Sequence, residues 1–537
     1  MPGSSAGSGA EPDRVAQVAA GYAFEGPAIE LGALVEDGTA RPEAAVRIPL
    51  AMVNRHGLVA GATGTGKTKT LQLMAEQLSA AGVPVLAADI KGDLSGIAQA
   101  GETNDKVTAR ATEVGQTWSG VGCPVELLAL GGVGQGLPLR ATMTSFGPAL
   151  LAKVLGLNEV QESSLGLVFH FADKAGLPML DLKDLRAVIQ YLTSDEGEEE
   201  LKSLGGLSRA TAGVILRELI AFEDQGAEAF FGEPEFDTAD LMRVDGSGRG
   251  VVSLLELPQL QDRPRLFSTF LMWLLADLFE ELPEVGDVDK PKLVFFFDEA
   301  HLLFDDASKE FLDAIAQTVR LIRSKGVGVF FVTQTPKDVP ADVLAQLANR
   351  VQHALRAFTP ADAKALKATA STFPMSGYDL EEVLTQVGIG EAVVTVMSER
   401  GAPTPVAWTR LRAPQSRMAP ADAAVLTAAV ESSPLTAKYA EQVDRESAYE
   451  RLTARLQKPA GGDPAGTTGT GTAGPPGKGK PSARDRQRRT PAPRPETPEK
   501  STAEKVIESS AFKQMARSAA AVLGREITRS IFGTRRR

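Results

Sequence analysis

Leu58-Val59-Ala60-Gly61-Ala62-Thr63-Gly64-Thr65-Gly66-Lys67-Thr68-Lys69 is the stretch from which the fold follows. A short apolar run gives way to a glycine-rich loop closed by lysine and threonine. Beyond it, Leu71, Met74, Ala75 and Leu78 recur at helical spacing until Gly82 stops the pattern. Strand, glycine loop and helix are the setting that G-x-x-x-x-G-K-[ST] requires, and the match is complete. The glycines let the backbone curl so that successive N–H groups converge on an anion, and the helix N-terminus adds its partial positive charge. Lys67 is then the cation for the β- and γ-phosphates, and the Thr68 hydroxyl is a ligand for Mg²⁺. Residues 61–69 together are the candidate nucleotide contacts. A dinucleotide-binding turn fits poorly, because Gly64-Thr65-Gly66 lacks the third glycine at its proper offset. The stretch predicts a nucleoside triphosphate site, read here as one for ATP with Mg²⁺.

Such a loop needs a carboxylate at the end of another strand to hold the cation, and hydrolysis needs a second group to orient or deprotonate water. Leu293-Val294-Phe295-Phe296-Phe297 runs straight into Asp298-Glu299 and supplies both. Asp298 is the candidate Mg²⁺ ligand and Glu299 the candidate group for polarising the attacking water. Asp298-Glu299-Ala300-His301 also spells the signature of one helicase superfamily, but the paired arginine-rich motif of those enzymes is missing, so His301 is read as ordinary. One strand later, the run from Val327 to Val332 ends in Thr333-Gln334. Gln334 is the candidate sensor of the γ-phosphate or lytic water, although a polar strand cap would read the same way.

Apolar runs at 58–60, 83–88, 125–130, 251–255, 293–297, 327–332 and 351–357 are predicted strands. Several are apolar on both faces, as in strands covered by helices on both sides of a parallel sheet. The fold class is therefore α/β, a doubly wound core with a mostly parallel sheet. Residues 146–243 read as a helical insertion that divides the core into 21–145 and 244–450. Residues 1–20 are Gly/Ser/Ala-rich and are expected to be unstructured. Residues 451–502 read as a flexible linker, dense in Gly, Pro, Thr and Arg from 459 to 500. Beyond it, 503–537 read as a basic amphipathic helix, with Phe512, Met515, Ala519, Val522, Leu523, Ile527 and Ile531 on one face.

The composition of the 537 residues, 43% hydrophobic and 23% charged, excludes global disorder and a fibrous fold. The single Cys123 rules out an internal disulfide, and the four histidines are scattered, so no structural zinc site is expected. The start lacks the basic and apolar regions of a secretory signal, and no run reaches the ~20 apolar residues that cross a bilayer. A cytoplasmic protein without integral membrane contact is expected. The net charge is −11, but from Lys478 onward 16 Lys and Arg stand against 6 Asp and Glu, which leaves residues 1–477 at −21. An acidic body argues against a broad nucleic-acid face, yet it permits a few basic loops converging in the pore of an oligomer.

GATGTGKT, FFFDEAH, RLIRSKGVGVFFVTQTP and the strand end Asp89-Ile90-Lys91-Gly92-Asp93 together resemble the HerA/FtsK class of DNA-translocating ATPases. The insert ATAGVILRELIAFEDQGAEAFFGEPEFD and the terminal GREITRSIFG are more closely similar to the bacterial YjgR-type group of HerA-like proteins. The resemblance covers residues 20–450 and the last thirty. It implies a RecA-like core that assembles into a ring, a homo-oligomer and by analogy a hexamer. It also implies nucleotide bound between subunits, duplex DNA as the track, and a nuclease or other protein as a further partner. In such rings an arginine of one subunit stabilises charge on the γ-phosphate of the next. Arg323 stands where the family carries it, with Arg320 and Arg350 as weaker candidates. Little room precedes the glycine loop for the N-terminal β-barrel of the archaeal relatives. Lys91 and Lys337 are candidate pore-loop contacts to DNA phosphates. The same residues would serve a secretion- or conjugation-type ATPase acting on protein, or a slow nucleotide-dependent scaffold or switch.

Overall fold

The structure is a computed structural model that describes residues 13–202, 206–257, 264–304 and 309–457. Twelve strands are found among these residues. They are β1 (Ala28–Glu36), β2 (Thr39–Pro49), β3 (Gly57–Ala60), β4 (Val85–Asp89), β5 (Val125–Leu130), β6 (Leu137–Leu139), β7 (Val252–Glu256), β8 (Leu293–Phe297), β9 (Val327–Thr333), β10 (Asn349–Gln352), β11 (Glu391–Thr395) and β12 (Ala407–Leu411). They form one sheet in the order β2-β1-β12-β11-β10-β3-β9-β8-β4-β7-β5-β6. From β10 to β6 every neighbouring pair is parallel, and from β2 to β10 every pair is antiparallel.

The parallel half follows from apolar strands buried on both faces. Every residue of β3, β4, β8 and β9 is buried. Side chains alternate between faces. On one face Phe296 and Phe330 meet at 5.3 Å between ring centroids, in a core they share with Val59 and with Leu71, Met74 and Leu78 of the helix Lys67–Ala80. On the other face Phe297 and Phe331 lie 5.6 Å apart, and Phe304 reaches Phe331 at the same separation. Each fully buried phenylalanine contributes about 1.5–3 kcal/mol relative to exposure, so the centre of the sheet is its most strongly fixed part. Each edge strand carries proline. β2 carries Pro42 and Pro49 with Arg41 and Arg47, and β6 is three residues long with Pro138 at its centre.

Four differences from the sequence reading have physical causes. Residues 14–20 are not loose, because Arg14–Gly21 is a helix capped by the Asp13 carboxylate. It buries Val18, and the hydroxyl of the following Tyr22 sits between the carbonyls of Val394 (3.2 Å) and Pro405 (3.0 Å). The strand expected at 351–357 instead spans Asn349–Gln352. Beyond it the Leu355 N–H turns to the Leu384 carbonyl at 2.8 Å, and the chain leaves the sheet. The antiparallel strands β1, β2, β11 and β12 and the short β6 lie outside the predicted strands. Residues 451–457, placed in the linker, are the last turns of the helix Ala448–Gln457. The remainder of the linker and the basic helix at 503–537 lie outside the described residues.

After β6 the chain forms the helices Met143–Val154, Glu159–Lys174, Leu182–Leu192, Asp195–Lys202 and Arg209–Asp224 before returning to the sheet at β7. Among the described residues no helix is long and apolar enough to cross a membrane.

Candidate nucleotide site

The glycine loop leaves β3 between two parallel neighbours, and both hold it. The Gly61 N–H donates to the carbonyl of Thr333 at the end of β9 (3.1 Å), and the Ala62 N–H donates to the carbonyl of Ala354 just past β10 (2.8 Å). Thr65 closes the turn by donating its hydroxyl to the Ala62 carbonyl at 2.7 Å. Gly64 (φ 79°) and Gly66 (φ 115°) lie in the left-handed region that side chains disfavour. Gly66 starts the helix Lys67–Ala80 with no side-chain cap. The first-turn N–H groups of Lys67, Thr68 and Lys69 have no acceptor inside the helix, which is the condition for an anion cradle. Ala62 and Thr68 are half-buried and Thr63 is exposed, so the rim of the loop is open to a ligand. Lys67 is buried, with Nζ 3.4 Å from the Ala62 carbonyl. Burial pushes its pKa down, against the pull of Glu299 and Asp298. Burial likewise lowers Lys69.

Beneath the loop sits His353, a residue that the sequence reading passed over. It is fully buried, with Nε2 2.9 Å from the Thr70 hydroxyl. Burial, aided by the charge of Lys67, pushes its pKa down to about 4, so the ring is a neutral wedge between β10 and the first turn of the helix. A side chain at Gly61 would place its Cβ 2.4 Å from the His353 Cβ. A lone histidine in Val351-Gln352-His353-Ala354 gives no motif, and only the parallel pairing of β10 with β3 reveals its place.

Because β9 lies between β3 and β8, the acidic pair following β8 stands near the loop across one intervening strand. The Ala300 N–H donates to the Val332 carbonyl at 2.9 Å and fixes that spacing. Asp298 is buried. Its Oδ1 accepts the Glu299 N–H at 2.9 Å, while its Oδ2 is buried without a partner. Burial first, and then the neighbouring Glu299, pushes its pKa up to about 7. A hard cation is what such an orphaned carboxylate oxygen accommodates. Among the described residues no group of three His, Cys, Asp or Glu side chains could hold a metal alone. The donor set of Asp298 and Thr68 therefore fits an Mg²⁺ that draws its other ligands from phosphate and water.

Glu299 has a φ of 48°, rare for a residue with a side chain and a position of backbone strain. Its carboxylate pairs with Lys91, and its Oε2 stands 3.3 Å from His301 Nδ1 without forming a well-aligned hydrogen bond. Burial works to raise the Glu299 pKa, but the bond and charge of Lys91, with His301 and Lys67, leave it below the ordinary carboxylate range. Lys91, read from sequence as a candidate pore-loop residue, is thus a partner of Glu299. It is placed there by the turn after β4, in which the Asp89 carboxylate accepts the N–H groups of Gly92 (2.7 Å) and Leu94 (2.9 Å).

Gln334 is exposed directly after β9, at the sheet edge shared by the loop and the acids. Behind it Asp338 accepts from the Thr333 hydroxyl (2.7 Å) and the Thr335 N–H (3.1 Å), forming a capped turn. Arg323 is exposed in the short turn Arg323–Lys325 that precedes β9, at the opposite end of that strand. Arg320 and Lys337 are exposed, and Arg350 donates to the Thr372 hydroxyl at 2.6 Å. The structure thus brings together Lys67, Thr68, Asp298, Glu299 and Gln334 and leaves Arg323 apart.

No curated protein matches the sequence. Among solved structures, the chain is similar to the bacterial conjugative coupling protein TrwB lacking its first 70 residues, at 16% identity and a TM-score of 0.47 over 75% of this chain and 94% of that one. TrwB in complex with the ATP analogue ADPNP gives 16%, 0.48, 73% and 97%. VirB4 of Thermoanaerobacter pseudethanolicus gives 14%, 0.45, 72% and 96%. The family described as Helicase HerA-like C-terminal matches residues 35–537, nearly the whole chain, and so the protein belongs to it as a HerA-like P-loop ATPase.

Proposed function

We propose that the chain is an ATP-hydrolysing, ring-forming motor of the HerA/FtsK type that acts on duplex DNA. The observation that carries this is the division of polar and charged groups along β9. Lys67, Asp298, Glu299 and Gln334 gather at one end, while Arg323 is exposed at the other. In a subunit so built Arg323 stands away from its own nucleotide site, and a head-to-tail ring would carry it to a neighbour's.

The chain's residues divide the work. The first-turn N–H groups and Lys67 bind the triphosphate, and Lys69 adds positive charge beside it. Thr68 and Asp298 would hold Mg²⁺, which supplies neutralisation of phosphate charge when bound. Glu299 polarises the lytic water once Lys91 yields it, and Gln334 bonds the γ-phosphate or that water. Arg323 of the neighbouring copy stabilises charge on the transferred group. Duplex DNA enters the reading through the family, with contacts to its backbone rather than its bases. We place the protein in the cytoplasm as a homo-oligomer, a hexamer by analogy, with a nuclease or other protein as a possible further partner.

A protein-directed motor of the secretion or conjugation type is the second reading, favoured by the −21 charge of residues 1–477. Steady-state ATP hydrolysis with and without linear duplex DNA, over a range of salt, separates the two, with Glu299→Gln as the inactive control. A DNA motor gives stimulation that fades as salt rises, because counterions compete for the phosphate contacts. Hydrolysis indifferent to DNA sinks that reading in favour of the protein motor, and a rate no higher than the control removes the motor altogether.

A further inference from the structure

The turn that leads into β11 carries an isoleucine that the fold itself does not use. Ile389 is 78% exposed, yet the residues around it are firmly held. Glu391 accepts the Gly388 N–H (3.1 Å), the Trp408 indole N–H (2.8 Å) and the Arg410 Nε–H (2.9 Å). Arg110 Nη1 donates to the Gly390 carbonyl at 2.8 Å, and the Leu411 N–H donates to the same oxygen at 3.0 Å. The turn therefore presents a large apolar side chain to solvent from a fixed backbone, the reverse of what an idle surface loop does.

Its location supplies the reason. β11 runs antiparallel to β10, so the start of β11 lies at the sheet edge where β3 and β10 end. The Gly390 N–H donates to the Thr65 carbonyl of the glycine loop at 3.1 Å. A side chain on Gly66 would meet the Gly390 nitrogen at 3.4 Å, so the two backbones run against each other. In sheet order Asp298 and Glu299 follow β8, on one side of the loop, and Gly390 precedes β11, on the other. The γ-phosphate of a bound nucleotide faces the acids and the cation they hold. The rest of the molecule, ribose and base, must then leave on the β10–β11 side, past Ile389.

We infer that Ile389, on its pinned Gly388–Gly390 turn, is the apolar contact for the nucleoside portion of the bound triphosphate. The inference rests on the ATP site proposed above. The test measures binding of ATP, ADP and inorganic tripolyphosphate, each with Mg²⁺, to the full chain and to its Ile389→Ala and Ile389→Val variants, with thermal unfolding and light scattering alongside. Ile389→Ala should bind ATP and ADP roughly five-fold more weakly, from the loss of part of one apolar burial. Tripolyphosphate binding should not change, and Ile389→Val should recover most of the loss. An Ile389→Ala variant that binds ATP normally overturns the assignment, and so does one that loses ATP and tripolyphosphate equally, since the turn would then only brace the loop. Weakened assembly with intact nucleotide affinity overturns it as well, and assigns Ile389 to a contact between copies. If the unsubstituted chain binds neither ATP nor tripolyphosphate, the nucleotide site itself is what fails.

Discussion

Mixing two inactive variants tests whether Arg323 serves a neighbour's nucleotide rather than its own. Arg323 precedes β9, and β9 runs parallel to β3 with Thr333 level with Ala60. The six steps from Val327 to Thr333 span roughly 20 Å at ~3.3 Å per residue, well beyond the reach of an arginine side chain. Arg323→Ala should therefore abolish hydrolysis without weakening ATP binding by the same subunit, and Lys67→Ala should abolish both. If each site joins the Lys67 of one copy to the Arg323 of the next, an equal random mixture of the two variants contains about a quarter intact sites by heterologous pairing. The recovered rate is then about a quarter of normal if sites act independently, against a background lowered by about 10³-fold or more when the arginine is absent. The assay is phosphate release from doubly tagged complexes purified after co-expression. A mixed complex no faster than the two variants measured separately refutes the reasoning, as does an Arg323→Ala protein that hydrolyses ATP at the normal rate alone.

Three further outcomes are expected. Lys91 is 43% exposed and Glu299 6% at their side chains, so the pair is screened on one side only, and a double-mutant cycle of Lys91→Met with Glu299→Gln should give a coupling of about 1 kcal/mol in denaturant unfolding; additive effects would dismiss the pair. Glu76 accepts from the Ser416 hydroxyl (2.9 Å) and the N–H groups of Gln415 and Ser416, yet burial dominates and raises its pKa from 4.5 to about 7. The folded state then holds the Glu76 proton more tightly than the unfolded one, so its contribution to stability is greatest below pH 4.5 and is lost as pH rises through 7, by roughly 3 kcal/mol. Unfolding free energies of the wild type and Glu76→Gln across that range should diverge in slope, and parallel curves would contradict the assignment. Phe296→Ala, which empties a fully buried site against Phe330, should lose about 3–5 kcal/mol of unfolding free energy; a loss under about 1 kcal/mol would mean that the sheet centre is less tightly packed than described.

What the sequence disclosed depended on how local each feature is. The glycine loop and the Phe-rich strand ending in Asp298-Glu299 are each continuous in the chain, and apolar runs buried on two faces need no partner to be recognised, so the parallel half of the sheet was legible except for the three-residue β6. β2 was not, since Thr39–Pro49 is rich in Ala, Arg and Pro and is half exposed. Nor was the start of the first helix visible inside a Gly/Ser/Ala-rich segment, because its stability comes from Val18 and from Tyr22 docking between carbonyls almost 400 residues away. In the site, the phosphate and cation groups could be read from spacing. His353, the Lys91–Glu299 pair and the Gly390–Thr65 contact could not, for each joins residues more than 200 positions apart through the order of the strands.

The prolines at both margins of the sheet bear on how copies of this chain can meet. A twelve-stranded sheet with a bare edge would invite a second copy to add its own strand there, building an open-ended fibril instead of a closed assembly. Pro42 and Pro49 deny β2 two of its donors. Pro138 takes the central donor from the three-residue β6. Growth by β-augmentation is discouraged at either margin, so the contact between copies that the proposed ring requires would fall to helices and loops, whose fit can fix an angle between neighbours.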